Sequence, residues 1–461
     1  MESEATKNTV SKSVALFVTT LSSFLTTFMA SSINIALPAI GKEFAINAVM
    51  LSWIPMSYLL TAAIFLVPFG KIADIYGRKK VYTYGIIVYS FTSFISAIAP
   101  NEMVLIAARS IQGIGGAMIF GTAIAILTSV FPANERGKAI GYNLAATYLG
   151  LSLGPSFGGF LTYQFGWRSI FAANVFFSFC IIPFILWKLK AEWAEAKGEK
   201  LDIKGSIVYM IGLFGIMYGF SILPSITGAL LLGAGIIVIM FFIKLEHRAA
   251  YPVLDLSHFK RNTVFIFSNL AAFINYSATF AVGYLLSLYL QYVKGLNPQD
   301  TGIIMVTQPI TMAVFSPLAG RLSDKIEPQI VASIGMGLTV VSLILFIFLG
   351  YNTSVIYIIA ALIVIGIGLA LFSSPNNNAI MGSVDRKYYG VASASIGTMR
   401  LTGQTISMGI ATLVFAINIG KVKISPEYYP QFLDSTRIAF IIFTVLCTAG
   451  VFASMARGKL R

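Results

Sequence analysis

Two arginines lie deep inside long apolar stretches of the sequence. Arg109 is followed three residues later by Gln112, so the two side chains share one face of a helix. Arg400 lies well inside another apolar run. A charged side chain at a bilayer centre costs about 2.5–3.5 kcal/mol on insertion scales, so each arginine should face a cavity and be hydrogen-bonded there. We predict a role in coupling or binding for Arg109, Gln112 and Arg400.

Groups that could make or break bonds are not clustered along the chain. Cys180 and Cys447 lie far apart in apolar runs, and His247 and His258 share one polar loop. All 18 Asp and Glu residues fall at termini, in loops or at span ends, and no Gly-x4-Gly-Lys-Ser/Thr phosphate loop occurs. We therefore expect neither an enzyme nor an ATP-driven pump, and no cofactor or metal.

The elements that must position these residues are membrane-spanning helices. Of 461 residues, 57% are hydrophobic and 11% are charged, whereas soluble chains carry about 25% charged residues. A helix needs about 20 apolar residues to cross a bilayer. Fourteen continuous runs fit this length, near 14–37, 49–69, 81–99, 103–128, 139–163, 168–187, 206–223, 226–243, 263–291, 300–319, 329–349, 354–374, 389–417 and 436–456. The sequence predicts an all-α polytopic membrane protein with 14 transmembrane helices.

The distribution of basic residues predicts the orientation. With alternating spans, 24 of the 32 Lys and Arg residues fall on the side of both termini and six on the opposite side, with Arg109 and Arg400 inside spans. Cytoplasmic loops collect Lys and Arg, so both termini should be cytoplasmic. The same rule explains the net charge of +14 without nucleic-acid binding.

A short pattern recurs in the two halves of the chain. Gly70-Lys-Ile-Ala-Asp74 is echoed by Gly320-Arg-Leu-Ser-Asp324, a shift of 250 residues. Repeated halves are a sequence feature of secondary transporters. Six spans need about 200 residues at the lengths given above, which leaves room for two additional helices. We predict an N-terminal six-helix bundle over 1–187, a linker with two additional transmembrane helices over 188–261, and a C-terminal six-helix bundle over 262–461.

The recurring loop and a glycine-rich helix are both candidates for conformational change. We predict a latch between the halves, formed by Gly70, Asp74, Gly77, Arg78, Lys79, Gly320, Arg321 and Asp324. Glycines spaced by four residues leave a smooth face for close helix approach in lipid, and a proline adds a bend. We predict such a seam, sealing one side of a cavity, at Gly150, Gly154, Pro155, Gly158 and Gly159.

These motifs together resemble those of the major facilitator superfamily. The stretch from Gly70 to Lys80 resembles its loop signature, the stretch from Arg109 to Gly116 its fourth-helix pattern, and the glycine seam the fifth-helix signature of its exporters. Short sequence motifs similar to those of the fourteen-span drug/proton antiporter branch occur at Asn34–Pro38, Trp53, Trp167–Arg168 and Tyr289–Gln291. The resemblance implies two six-helix bundles with an inserted helix pair, and proton-coupled multidrug efflux.

The sequence departs from that branch in its first span. The resemblance implies an Asp shortly before Asn34, but Met29 stands there. Proton coupling usually needs a titratable group along the path, and the nearest acids are Glu102 and Asp300 at outer span ends and Asp385 at the cytoplasmic mouth. An anionic, zwitterionic or neutral amphipathic substrate is therefore at least as plausible as a cationic one.

Other polar and aromatic residues within spans are candidates for the lining of a substrate cavity. Each could instead bridge two helices by a hydrogen bond. The candidates are Asn34, Trp53, Tyr58, Asn143, Asn275, Tyr284, Gln291, Gln308, Asn377 and Gln404. In addition, the run Asn376-Asn377-Asn378 directly after Pro375 is a candidate for a break in its helix.

These observations favour a secondary transporter. We expect it to export lipophilic or amphipathic small molecules across the plasma membrane by alternating access, with protons as the coupling ion. We expect a monomer within the lipid bilayer. The alternative is a transporter or flippase for lipid-like amphiphiles, with the same fold and without proton coupling.

Overall fold

The structure, a computed structural model, describes residues 12–132, 135–189, 191–246, 251–253, 262–384, 389–420 and 422–458. In these residues the regular secondary structure is helical throughout. The helices are α1 (Lys12–Phe44), α2 (Ala48–Tyr76), α3 (Arg78–Ala97), α4 (Glu102–Val130), α5 (Arg136–Phe165), α6 (Arg168–Lys188), α7 (Ile203–Ser221), α8 (Ile226–Glu246), α9 (Thr263–Leu288), α10 (Pro298–Met305), α11 (Thr307–Lys325), α12 (Pro328–Ile347), α13 (Val355–Gly382), α14 (Tyr389–Asn418) and α15 (Tyr429–Ala456). His247, His258, Asp385 and the side chain of Asp324 lie outside the described part.

The all-α prediction is confirmed, and twelve spans are long and apolar enough to cross a membrane in the described residues. Each of the fourteen predicted runs corresponds to a helical segment when α10 and α11 are taken together. The two segments outside the set of twelve are α3 and α5. Both are rich in Gly, Ser and Thr, which lowers their hydropathy, so their crossing stays a prediction.

Two helices differ from the predicted runs. The run near 300–319 is divided at Val306 into α10 and α11. The expected break after Pro375 is wrong, because α13 continues through the asparagines to Gly382. The side chain of Asn376 donates to the Ser268 carbonyl of α9 at 3.2 Å, so it joins two helices and does not replace a bond within its own.

Many helix contacts lie within α1–α6 or within α9–α15, and α10 also packs on α5 and α14 on α2. Among α1–α6, α1 packs on α5, α2 on α4, and α3 on α4 and α6. Among α9–α15, α9 packs on α14 and α15, α12 on α13 and α15, and α11 on α13. The pair α7 and α8 pack on each other, and α7 also contacts α2 and α14. The domain boundaries near 187 and 261 stay a prediction.

The two sets of helices meet most closely at the end that carries the α1–α2 loop. There Ser287 donates to the Asn34 carbonyl at 2.7 Å, and the Gln291 amide donates to the Ile35 carbonyl at 3.0 Å. The hydroxyls of Ser52 in α2 and Thr412 in α14 lie 2.7 Å apart. In the described residues, the side-chain hydrogen bonds that we find between α1–α6 and the residues from α9 onward all lie toward this end. We call it the α1–α2 loop end, and the opposite one the α2–α3 loop end.

Candidate transport site

Arg109 is almost fully buried in α4, with 1% of its surface exposed. Its guanidinium donates to the side-chain oxygen of Gln112 and, at 3.5 Å, to the Ile54 carbonyl of α2. The guanidinium carbon lies 4.6 Å from the centre of the Tyr58 ring, a distance at which the ring face attracts a cation. The predicted sharing of one face by Arg109 and Gln112 is therefore present in the structure.

The polar contacts of Gln112 extend this cluster to two more helices. Its amide nitrogen donates to Ser93 Oγ at 2.6 Å and to the Tyr89 carbonyl at 3.4 Å, both in α3. The Asn174 amide of α6 donates to the same Ser93 hydroxyl at 2.8 Å. The sequence analysis missed Ser93, Tyr89 and Asn174, although the spacing of four residues between the first two places them on one helix face.

The charge of Arg109 is stabilised without a carboxylate. Within the described residues, its hydrogen-bond acceptors are the Gln112 side chain and the Ile54 carbonyl, and the Tyr58 ring lies against it. A carbonyl, an amide oxygen and an aromatic face provide the polar environment that a membrane-buried cation requires.

Arg400 lies in the middle part of α14 and is half-buried. It is close enough to act electrostatically on Tyr58 of α2 and Tyr148 of α5, and Tyr148 interacts in the same way with Tyr276 of α9. Residues of α2 and α5 therefore contribute to the surroundings of this guanidinium. Sequence analysis selected Tyr58 and Arg400 but missed Tyr148 and Tyr276, because their proximity depends on which helices become neighbours.

Three of the predicted seam glycines pack on α1. A Cβ at Gly150 would overlap the Thr27 hydroxyl, one at Gly154 would overlap the Ser31 hydroxyl, and one at Gly158 would lie 2.6 Å from Ser32 Cβ. Ser32 Oγ donates to the Gly154 carbonyl at 2.9 Å, so the bare glycine backbone also accepts hydrogen bonds from α1.

The other two seam residues contact the second set of helices. A Cβ at Gly159 would overlap the Pro298 carbonyl of α10, and a Cβ at Gly302 of α10 would overlap the Pro155 carbonyl. Here two helix backbones touch with no side chain between them. The seam thus connects α5 to α1 on one face and to α10 on the other, and its role in sealing the cavity stays a prediction.

Arg78, the central cation of the predicted latch, is bound by two carboxylates. Its Nε donates to Asp74 Oδ1 at 2.8 Å, and its two terminal nitrogens donate to Glu195 at 2.6 and 3.0 Å. Its Nη1 also donates to Ser129 Oγ of α4 at 2.7 Å. Such a bidentate contact between arginine and carboxylate is both strong and geometrically specific.

Residues 192–199, which we call the docked segment, cover the α2–α3 loop. Backbone hydrogen bonds join Arg78 N to the Trp193 carbonyl at 2.8 Å and Ala196 N to the Asp74 carbonyl at 2.9 Å. Lys71 forms an ion pair with Glu199 at 2.7 Å. Sequence analysis expected a linker here and a latch between the halves, whereas the described hydrogen bonds of the loop run to this segment and to α4.

Two further latch residues help to shape this contact. Gly77 has a φ of +124°, which L-residues rarely adopt, and a Cβ there would overlap the Glu192 side chain. The backbone nitrogen of Lys79 donates to Glu192 Oε1 at 2.8 Å. Gly70 has open space around it, and in the second copy Gly320 lies near Ser374 while Arg321 is exposed.

The sequence profile of the Major Facilitator Superfamily matches residues 19–269 and 268–457, almost the whole chain. The chain belongs to this superfamily. It is therefore a membrane transporter with multiple spans, as the resemblance of its motifs predicted.

Individual relatives within the superfamily differ in what they carry. The chain is 29% identical over 406 residues to the riboflavin transporter RibZ of Clostridioides difficile, covering 88% of each chain. It is 29% identical to the multidrug resistance protein Stp of Mycobacterium tuberculosis, covering 87% of this chain and 76% of that protein. It is 28% identical to the multidrug transporter protein MdtP of Bacillus subtilis, covering 84% of this chain and 72% of that protein.

The fold is similar to that of solved transporters. A crystal structure of the peptide transporter POT in complex with sulfate aligns with a TM-score of 0.69 at 14% identity, covering 96% of this chain and 95% of the other. This likeness concerns the fold.

Several predicted cavity residues bridge helices in this superfamily member. The Asn143 amide donates to the Thr19 carbonyl at 3.0 Å and to Ser23 Oγ at 2.9 Å, which ties α5 to α1. The Trp53 ring lies 5.6 Å from that of Tyr218, so it packs on α7. Asn34 and Gln291 lie in the closed contacts of the α1–α2 loop end.

The remaining predicted cavity residues keep free polar groups in the described part. Asn275 and the Tyr284 hydroxyl are buried with no hydrogen-bond partner there. Gln404 is buried, and Gln308 and Asn377 are half-buried.

The carboxylates have the distribution that the sequence indicated. Met29 is fully buried in α1. Glu102 and Asp300 lie in the first turns of α4 and α10, where Asp300 accepts a hydrogen bond from Asn297 at 2.8 Å. In the described part of the chain, each Asp and Glu lies in a loop or near a helix end. The described spans thus carry arginines at mid-helix depth and no acid there.

Proposed function

We propose that this transporter exports amphipathic small molecules across the plasma membrane by alternating access between two helix sets. The observation that carries the proposal is the asymmetry of their contacts. Hydrogen bonds and backbone contacts join the sets toward the α1–α2 loop end, as at Ser52 with Thr412 and at Gly159 with Pro298. With the orientation that the basic residues predict, this end is extracellular, and the conformation loads substrate from the cytoplasm.

The names of the relatives support transport of more than one kind of molecule. Two of them are named as multidrug proteins and one as a riboflavin transporter. Riboflavin and many drugs share planar rings with polar groups, which fits a pathway lined by tyrosines and arginines.

Proton antiport is the proposed energy source, and the acids at the helix ends are its candidate carriers. Glu102 and Asp300 lie at the predicted outer mouth. The lack of an internal acid in the described spans is the observation that favours the second candidate, a transporter of lipid-like amphiphiles without proton coupling.

Transport by the purified protein in liposomes tests the proposal. A fluorescent dye and a fluorescent lipid analogue are followed with and without an imposed pH gradient. We expect the gradient to drive uphill dye movement, and Arg109→Ala to slow it at least about tenfold, the equivalent of 1.4 kcal/mol. The physical reason is that this substitution removes the guanidinium that Gln112 and Tyr58 hold in place. Lipid equilibration that ignores the gradient, with no uphill dye movement, would establish the second candidate instead.

A further inference from the structure

Arg400 differs from the other buried or half-buried arginines in having no hydrogen-bond or ion-pair partner among the described residues. Arg78 binds two carboxylates, and Arg109 binds an amide oxygen and a carbonyl. Arg457 donates to Asn376 Oδ1 at 2.9 Å and to Ser454 Oγ at 2.9 Å. No described residue accepts a hydrogen bond from the Arg400 guanidinium or forms an ion pair with it. A cation held in the middle of a membrane helix without a counter-charge is a strong indication of a ligand.

The surroundings of Arg400 are aromatic and come from both helix sets. Tyr58 and Tyr148 belong to α2 and α5, and Tyr276 belongs to α9. Gly403, one turn beyond Arg400, brings α14 into direct contact with α9, because a Cβ there would lie 2.7 Å from the Phe273 carbonyl and 2.9 Å from Tyr276 Cβ. This close approach places Tyr276 against α14, one turn from Arg400.

We propose that Arg400 binds the anionic group of an aromatic substrate whose ring lies among Tyr58, Tyr148 and Tyr276. The proposal rests on the transport function proposed above and names its substrate class. A guanidinium offers paired donors that match a carboxylate, sulfonate or phosphate. Tyrosine rings offer apolar faces and hydroxyl donors for the remainder of the molecule.

The charge balance of the pathway supports an anion over a cation. Arg109 and Arg400 both act on Tyr58, and no acid of the described chain lies at mid-helix depth to offset them. A cationic substrate would enter a region that is already positive, whereas an anion supplies the missing counter-charge.

Two dyes that share the xanthene ring system and differ in charge provide the test. Carboxyfluorescein is anionic and rhodamine 123 is cationic, and binding of each to the full-length detergent-purified protein is measured by fluorescence anisotropy. We expect Arg400→Gln to weaken carboxyfluorescein binding at least about tenfold while rhodamine 123 binding changes less than twofold. Arg400→Lys keeps the charge but loses the paired donors, so it should weaken carboxyfluorescein binding to an intermediate extent.

The control is Arg437→Gln, which removes an exposed arginine of α15 and should leave the binding of both dyes unchanged. Thermal unfolding of each variant verifies that it is folded. Equal weakening of both dyes in Arg400→Gln, unchanged carboxyfluorescein binding, or failure of the unmodified protein to bind carboxyfluorescein would each overturn the proposal. Because binding needs no gradient, these results are separate from a failure of transport in liposomes.

Discussion

The arginines of this transporter illustrate two ways of binding a buried guanidinium. Arg78 is neutralised by carboxylates, whereas Arg109 and Arg457 are bound by uncharged groups. Burial lowers the pKa of Arg457 to about 10, which leaves it protonated at neutral pH. Arg400 has neither kind of partner among the described residues, so its charge is available to a ligand.

The pair of Arg78 and Glu195 should hold the docked segment in place. Glu195→Gln removes the charge of the side chain and keeps its shape. Because Glu195 is largely exposed, we expect the docked segment to lose about 1 kcal/mol of binding free energy to the α2–α3 loop. Trypsin should then cut after Lys197 and Lys200 about fivefold faster, because the segment detaches more often.

Glu135→Gln is the matched control for the docked segment. Glu135 pairs with Lys12 at 2.8 Å, and both side chains are nearly half-exposed, so its loss should leave the cleavage rate after Lys197 unchanged. Equal rates for the Glu195 variant and the unmodified protein would show that this ion pair does not hold the segment.

At the scale of helices, α5 is one of the elements that connect the two sets. Its glycines contact α1 on one face and α10 on the other, so a change in the angle of α5 must alter both interfaces. Backbone-to-backbone contact of this kind leaves no flexible side chain to absorb a substitution.

Gly159→Ala should therefore destabilise the closed end. The added methyl overlaps the Pro298 carbonyl, so α10 must shift, at a loss of about 1–3 kcal/mol in the free energy of unfolding. Thermal unfolding in detergent measures this as a lower midpoint. Gly141→Ala is the control on the same helix, since nothing lies within 4 Å of the position that its added methyl would take. A midpoint equal to that of the control would contradict the contact between α5 and α10.

Most of the helical framework could be predicted from the sequence, because each span is a local property of apolar length. The glycine spacing and the face shared by Arg109 and Gln112 are local as well. Long-range contacts have no such signal. The role of Asn143 as a bridge to α1 and the position of Tyr276 near Tyr148 depend on which helices become neighbours. The docking of residues 192–199 likewise pairs segments that are far apart in sequence.

At the scale of the whole molecule, the membrane potential acts on a substrate that binds at Arg400 and leaves through the α1–α2 loop end. If the substrate is an anion and the α1–α2 loop end is extracellular, a negative-inside membrane potential itself favours export. One charge moved across 100 mV corresponds to about 2.3 kcal/mol, or a gradient of about fifty-fold. The absence of an internal acid in the described spans is then compatible with concentrative transport.

Alternating access requires the closed end to open in every cycle, and a reversible crosslink tests this most directly. The Ser52 and Thr412 hydroxyls lie 2.7 Å apart, so Ser52→Cys together with Thr412→Cys should form a disulfide between α2 and α14. The background carries Cys180→Ala and Cys447→Ala, which removes both native thiols. The single variant Ser52→Cys controls for the substitution itself.

The decisive measurement is transport in liposomes before and after reduction of that crosslink. We predict that the oxidised protein transports at least about tenfold more slowly than the reduced protein, and that a reducing agent restores the rate. Equal rates in the two states, with the disulfide verified by mass spectrometry, would contradict opening between α2 and α14 and with it the alternating-access account.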